Sequence, residues 1–399
     1  SYHVTTGQFS NFKFCGTIIL GIEASFYYCS CVLRKDMTMS KDTKRDMGKE
    51  ELEDKVKKLS PEKQAFVKGK NVPKKFSRTL DPIFKYYFGR PGNEELLLSL
   101  VNGILSTPLG RPDIVLAPGV ERLNLKFKKL TLLGTESSPL VEGGKGIRFD
   151  IAAETDDGKI INIEIQKGDQ EYIRHRSEIY ASNMVARYNK AGTNYDEFTP
   201  VISIWILEWE LKSNVNDKAI NDKVIRGQIT VDADTYELAT NVRTIYFVQL
   251  PKMKFSDYKD FRRRGIMSEE AEAWLRFLST DGPEEGWEAM KAMNPEIARK
   301  LQQQEQEFWG DKAQRYAYIV AEDQEKVRLT EKNRAAKKLK KAHEEGREEG
   351  LLEGLAKKEQ EMIFGMLSAG FSDEQITAIP GITEEKLEKY KEEFNNKLV

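Results

Sequence analysis

The spacing of apolar residues changes character twice along the chain. Over residues 81–105 it has a period of three to four, the mark of helices with one buried face. Asp81-Pro82 opens a short helix carrying Ile83, Phe84, Tyr87 and Phe88, and Gly89 with Pro91-Gly92 ends it. Asn93 is placed to cap a second helix, with Glu94 and Glu95 in its first turn. Leu96, Leu97, Leu100, Val101 and Ile104 form its apolar face. Residues 147–155 and 159–166 then read as two strands around Asp156-Asp157-Gly158. A helix over 170–188 follows, with Ile173, Ser177, Tyr180, Met184 and Tyr188 in one stripe. Residues 199–209 are almost continuously apolar, as a strand covered on both faces should be, and 243–249 predict another strand. From Glu269 the pattern is helical nearly to the end. Gly370 can close one helix, Ser372 with Gln375 is a capping box, Pro380-Gly381 breaks the next helix, and Thr383 can cap the last.

This pattern divides the chain into four parts. Residues 1–36 are unlike the rest and are expected to be a non-native or unstructured leader; their apolar stretch at 14–33 is interrupted by Glu23, so no membrane partner is expected. Residues 37–72 read as a charged linker with some helix. The folded domain is expected over 73–300. A helical tail over 301–399, with a small C-terminal helical module, is expected to be separable from it and is a candidate for homo-oligomer formation.

Composition narrows the chemistry. Lys and Arg total 63 against 64 Asp and Glu, which excludes a histone-like polycation but leaves room for local basic patches. The three cysteines are Cys15, Cys29 and Cys31, so the body of the chain has no disulfide framework, zinc ribbon, iron–sulfur cluster or cysteine nucleophile. The three histidines, His3, His175 and His343, are far apart, which makes a Ser-His-Asp triad untenable. Neither glycine-rich nucleotide-binding motif is present. A metal, if used, must be carried by carboxylate oxygen, which favours Mg2+, with Mn2+ or Ca2+ as the alternatives.

The hairpin offers such a site. A two-residue loop, Asp157-Gly158, would set Asp150 opposite Ile165. A three-residue loop with a left-handed glycine pairs Thr155 with Lys159 and sets Asp150 opposite Glu164, with Gln166 on the same face. In that second register two carboxylates face each other with Cβ atoms ~5 Å apart. A divalent cation fits between them, and the Ile165 main-chain carbonyl is a third oxygen beside it. Their face is expected to be polar and solvent-accessible, while Ile147, Phe149, Ile151, Ile161, Ile163 and Ile165 make the other face apolar. The plain alternative is a solvated acidic hairpin face. Glu94 is a candidate to complete the site, although dipole stabilisation of its own helix is the favoured explanation of it. Arg176 and Tyr180 on the next helix are candidate phosphate contacts. Further basic clusters are Lys74, Lys75 and Arg78; Lys126, Lys128 and Lys129; and Arg262, Arg263 and Arg264.

Seven segments occur in an order that resembles a known family: DPIFKYYFG (81–89), EELLLSLVNGIL (94–105), FDI (149–151), DGKIINIEIQ (157–166), RSEIY (176–180), TPVISIWIL (199–207) and EAWLRFL (272–278). They resemble the Rpn family of recombination-promoting nucleases, also described as PD-(D/E)XK nuclease family transposases. The resemblance implies an α/β fold of restriction-endonuclease type, a mixed sheet flanked by helices with a helical C-terminal region. It implies a cytoplasmic, Mg2+-dependent DNA endonuclease, with Asp150 and Glu164 as metal-binding residues and Gln166 where the wider superfamily has lysine. Glu94 is similar to the acidic residue of the superfamily's first helix. Glutamine can orient a water by hydrogen bonds but supplies no charge. That substitution motivates the rival expectation: a DNA-binding or oligomerising scaffold with the same fold and little or no cleavage.

Overall fold

The computed structural model describes residues 48–69, 71–107, 109, 115–120, 125–137, 147–189, 192–214, 216, 218–253, 267–280 and 286–398. The expected leader, the start of the expected linker and the arginines at 262–264 lie outside them. The chain splits into a unit ending at Phe66 and a second unit from Val67 onward. In the first, the stretch expected as a linker is mostly helix: α1 (Lys49–Lys57), then the greater part of α2 (Pro61–Lys68).

The second unit runs α3 (Asp81–Phe88), α4 (Glu94–Leu105), β1 (Leu130–Leu132), β2 (Glu136–Ser137), β3 (Ile147–Arg148), β4 (Ile151–Thr155), β5 (Ile160–Gln166) and α5 (Ile173–Tyr188). It continues β6 (Val201–Leu207), α6 (Lys218–Asn221), β7 (Ile225–Val231), β8 (Leu238–Gln249), α7 (Glu269–Ser279), α8 (Trp287–Met293), α9 (Pro295–Gly310), α10 (Lys312–Ser368), α11 (Asp373–Thr377) and α12 (Glu384–Leu398). A six-stranded mixed sheet has the order β1-β4-β5-β6-β8-β7. The β5–β6 and β6–β8 pairs are parallel; the outer pairs are antiparallel. Every residue of β6 is buried, as its unbroken apolar run requires.

The hairpin adopts the three-residue loop. Thr155 N–H donates to Lys159 O at 2.9 Å, and Gly158 closes the turn at φ +81°, a conformation costly for any residue with a Cβ. Ile151 pairs with Ile163, which extends to Asp150 opposite Glu164.

The two faces of the sheet are not polar and apolar as expected. Ile151, Ile161 and Ile163 are buried, but so are Asn162, Glu164 and Gln166 on the other face. The reason is α5, which packs over β6 and β8 and covers that face. Ile147 and Phe149 also join the α5 side, where the Phe149 ring meets Tyr180 edge-on at 5.7 Å between centroids. The ladder breaks between β3 and β4, so period-two counting fails across Phe149.

The boundary expected at 301 falls inside a buried helix. Leu301, Phe308 and Trp309 of α9 and Tyr318 and Ile319 of α10 are buried with the domain. Arg78, expected as part of a basic surface cluster, is fully buried and pairs with Glu305 of α9 at 3.2 Å. The distal part of α10 is exposed. It ends in a small cluster of Ile363, Ile376, Ile382, Leu387 and Tyr390. That module has the expected punctuation: the Ser372–Gln375 capping box is formed, and Gly370 and Gly381 have φ values of +78° and +96°.

Candidate active site

Asp150 and Glu164 are locked together by reciprocal hydrogen bonds across the hairpin. Asp150 N–H donates to Glu164 Oε1 at 3.1 Å, and Ile165 N–H donates to Asp150 Oδ2 at 3.1 Å. Each carboxylate therefore uses one oxygen to hold the other strand. The geometry follows from the broken ladder: beyond Ile151 the chain no longer pairs with β5, and side chains accept the Asp150 and Ile165 N–H groups instead.

The remaining Asp150 oxygen is met by a cation. Lys85 Nζ lies 3.1 Å from Asp150 Oδ1 and 2.5 Å from Asp81 Oδ1, four residues earlier on α3. Asp81 and Asp150 are thus no further apart than those two distances together allow. Sequence reasoning placed Asp81 only as a helix opener and gave Lys85 no role. The i,i+4 spacing in DPIFK was the available signal.

Charge and burial oppose each other here. Glu164 is 1% exposed. Burial first, then the negative charge of Asp150, hold its carboxyl well above the usual carboxylate range, against the pull of the Asp150 N–H, Arg176 and Lys85. Burial also raises Asp81, although Lys85 offsets part of this. For Lys85 burial acts downward, but attraction to Asp150 and Asp81 outweighs it and the amine sits above its ordinary value.

Gln166 is held from its oxygen side. Its Oε1 accepts from Gln170 Nε2 at 2.9 Å and from Arg176 at 3.3 Å. Arg176 also donates to Gln170 Oε1 and Tyr180 Oη, each at 3.0 Å. Arg176 and Tyr180 therefore position Gln166 and one another. The Tyr180 ring stands edge-on to Trp205 at 5.2 Å between centroids, which fixes it on the sheet.

A cleft of about 340 Å3 opens over Asp81, Asp150, Ile165, Gln166 and Arg176. Its other wall is α10, through Ala321, Gln324, Glu325 and Arg328. At Gly168 a Cβ would meet the Arg328 guanidinium, so the arginine end of that wall lies directly against the backbone there. These α10 residues were not singled out in the sequence, because a solvated helix and a cleft wall look alike there. Lys167 also borders the cleft, but its ammonium binds Ser77 Oγ, Thr79 Oγ1 and Glu208 Oε1 at 3.0, 3.1 and 2.6 Å.

Glu94 is engaged elsewhere: its carboxylate accepts Gly92 N–H at 2.8 Å at the start of α4. Asn93 does not cap that helix with its side chain, which donates to Tyr86 O and Gln304 Oε1. Among the described residues, no group of three or more His, Cys, Asp or Glu side chains is arranged to hold a metal ion. Two carboxylates and a main-chain carbonyl form an all-oxygen donor set that suits a hard cation retaining waters. One of those carboxylates is buried against its neighbour's charge, and a bound cation would relieve it.

A mixed sheet with an Asp on one strand facing a Glu on the next, and an amide two residues on, defines a nuclease-like α/β fold. A family model described as PD-(D/E)XK nuclease family transposase matches residues 78–338, and the chain belongs to that family. The match includes α9 and the first part of α10, the elements that close the core and wall the cleft. Neither the comparison with curated proteins nor that with solved structures returned a match.

Proposed function

We propose that this protein is a divalent-metal-dependent DNA endonuclease acting in recombination or transposition. The observation that carries the reading is the reciprocal Asp150–Glu164 pair, whose Asp150 lines the cleft. Asp150 Oδ1, Glu164 Oε2 and the Ile165 carbonyl would hold the ion, with Mg2+ favoured over Mn2+ and Ca2+. When bound, such an ion activates water and neutralises charge on a phosphoryl group. Gln166 contributes orientation. Arg176 and Gln170 occupy its oxygen, so its NH2 group is turned to donate to a water or phosphate oxygen in the cleft. The family supports a DNA substrate for this chemistry, and a cytoplasmic setting is proposed with it. Among the described residues no helix is long and apolar enough to cross a membrane.

A plasmid-nicking assay with and without Mg2+ tests the reading. Cleavage that needs the metal and disappears in Asp150→Ala supports it. Tight DNA binding with no cleavage under Mg2+, Mn2+ or Ca2+ supports instead the scaffold reading, for which the absence of a lysine at position 166 is the motive.

A further inference from the structure

Gln166 leaves the hairpin without a fixed positive charge, yet the fold places one there from another element. We propose that Lys85 of α3 is the catalytic cation of this site: its ammonium meets the negative charge that develops on the attacked phosphate. This rests on the nuclease reading above.

Three observations single out Lys85, whose two partners Asp81 and Asp150 both line the cleft. Its Nζ is 3.1 Å from Asp150 Oδ1, so it stands beside the carboxylate pair and not merely near the pocket. Its side chain is 30% exposed, which leaves room for a phosphate oxygen to approach. Its other partner, Asp81, lines the cleft and holds the chain in place from one helical turn away. The competing cations are committed. Lys167 already has three acceptors for its three N–H groups. Arg176 is spread over Gln166, Gln170 and Tyr180, and Arg328 is paired with Glu325.

The chemistry matches the position. Hydrolysis joins a water oxygen to phosphorus and breaks the bond to the leaving sugar oxygen, which takes up a proton from solvent. The attacking water gives one of its protons to solvent as the new bond forms and keeps the other as the hydroxyl of the product phosphate. Between those events the phosphoryl oxygens carry added negative charge, and a preorganised ammonium in a partly buried cleft stabilises it. An amide at position 166 cannot do so.

The test compares wild type, Lys85→Met and Lys85→Cys. Cleavage is measured at saturating Mg2+, and Mg2+ affinity is measured separately by calorimetry. Lys85→Met keeps the length and packing of the stem, and its fold is checked by circular dichroism and thermal melting. Cleavage by Lys85→Met is expected to fall at least about thirtyfold, in line with loss of a charged hydrogen bond. Its Mg2+ affinity is expected to stay equal or rise, because a competing cation has left Asp150. Alkylating Lys85→Cys with 2-bromoethylamine restores an amine of lysine length. Its activity should recover toward that of wild type treated the same way, a control that accounts for the other three cysteines. Lys85→Met cutting as fast as wild type overturns the assignment. So does loss of Mg2+ binding in step with cleavage, which would make Lys85 a structural prop, and so does failure of the amine to restore activity. If wild type itself does not cut, the nuclease reading fails first and this inference falls with it, a result distinct from a change confined to the variants.

Discussion

Two buried glutamates, Glu305 and Glu164, sit in one domain with opposite surroundings. Glu305 is 3% exposed and meets a cation and a hydroxyl inside the fold. Arg78 donates to its Oε2 from Nε, Tyr87 Oη donates to the same oxygen at 2.9 Å, and the guanidinium lies over the Phe277 ring at 4.3 Å. Arg78 also reaches the carbonyls of Phe277 and Thr280. Burial raises the Glu305 carboxyl, and Arg78 and Tyr87 offset only part of the rise. Glu164 is equally buried and faces another carboxylate, with its cations further off. The first arrangement ties α3, α7 and α9 together. The second sets two carboxylates against each other, the pair to which the proposed function assigns a cation. Buried carboxylates are structural when their charge is met within the fold and functional when it is left for a ligand.

The contrast breaks most sharply at the tail. A chain ending at Gln302 loses Glu305, Phe308, Trp309 and Tyr318, and with them the carboxylate that pairs with buried Arg78, and is expected to unfold globally. A chain ending at Lys338 keeps all of these and is expected to melt cooperatively near the full-length temperature. Circular dichroism melts of the two chains settle the matter, and a folded protein from the shorter one would remove α9 from the core.

Glu305→Ala is expected to cost about 3–5 kcal/mol in urea unfolding, the range for breaking a buried ion pair by removing one partner. A cost under about 1 kcal/mol would show that Arg78 is satisfied without it.

Glu164→Gln should do the reverse. A carboxyl whose folded pKa is raised binds protons more tightly in the native state. Its penalty on stability therefore grows as pH rises through the unfolded value toward the folded one, and is full above that. Removing the charge is expected to stabilise the metal-free protein by about 1–3 kcal/mol at neutral pH, and to flatten the dependence of stability on pH. Cleavage is expected to drop about a hundredfold or more, as in Asp150→Ala, since a ligand of the ion is lost. Added Mg2+ should raise the melting temperature of wild type and not of this variant. Destabilisation by Glu164→Gln would mean that the carboxylate is already satisfied.

The smallest effect is expected at Gln166. Gln166→Ala should slow cleavage about tenfold, the worth of one hydrogen bond, with little change in unfolding. Gln166→Lys should cut no faster than wild type, because Arg176 stands 3.3 Å from the amide oxygen it would replace and repels an ammonium. Faster cleavage by Gln166→Lys would place the needed charge at position 166 and not at Lys85.

What the sequence settled by itself was local. The spacing of Ile83, Phe84, Tyr87 and Phe88 makes a helix with one buried face. Asp156-Asp157-Gly158 sets the hairpin register through a left-handed glycine, and that register brings Asp150 opposite Glu164. Ser372 and Gln375 cap α11 from within four residues. Each depends on neighbours in the chain, and the local code carries it. What only the tertiary structure decided was which polar residues lose their water. Glu164 and Gln166 read as solvated until α5 covers their face, and Arg78 reads as a surface cation until α9 supplies Glu305. Lys85, 65 residues from Asp150 in sequence, meets it only because α3 packs beside the hairpin, and α10 becomes a cleft wall only where Ala321, Gln324, Glu325 and Arg328 come over the site. Desolvation and ion pairing depend on what arrives from distant segments, and hydrophobic spacing along one segment carries no record of that.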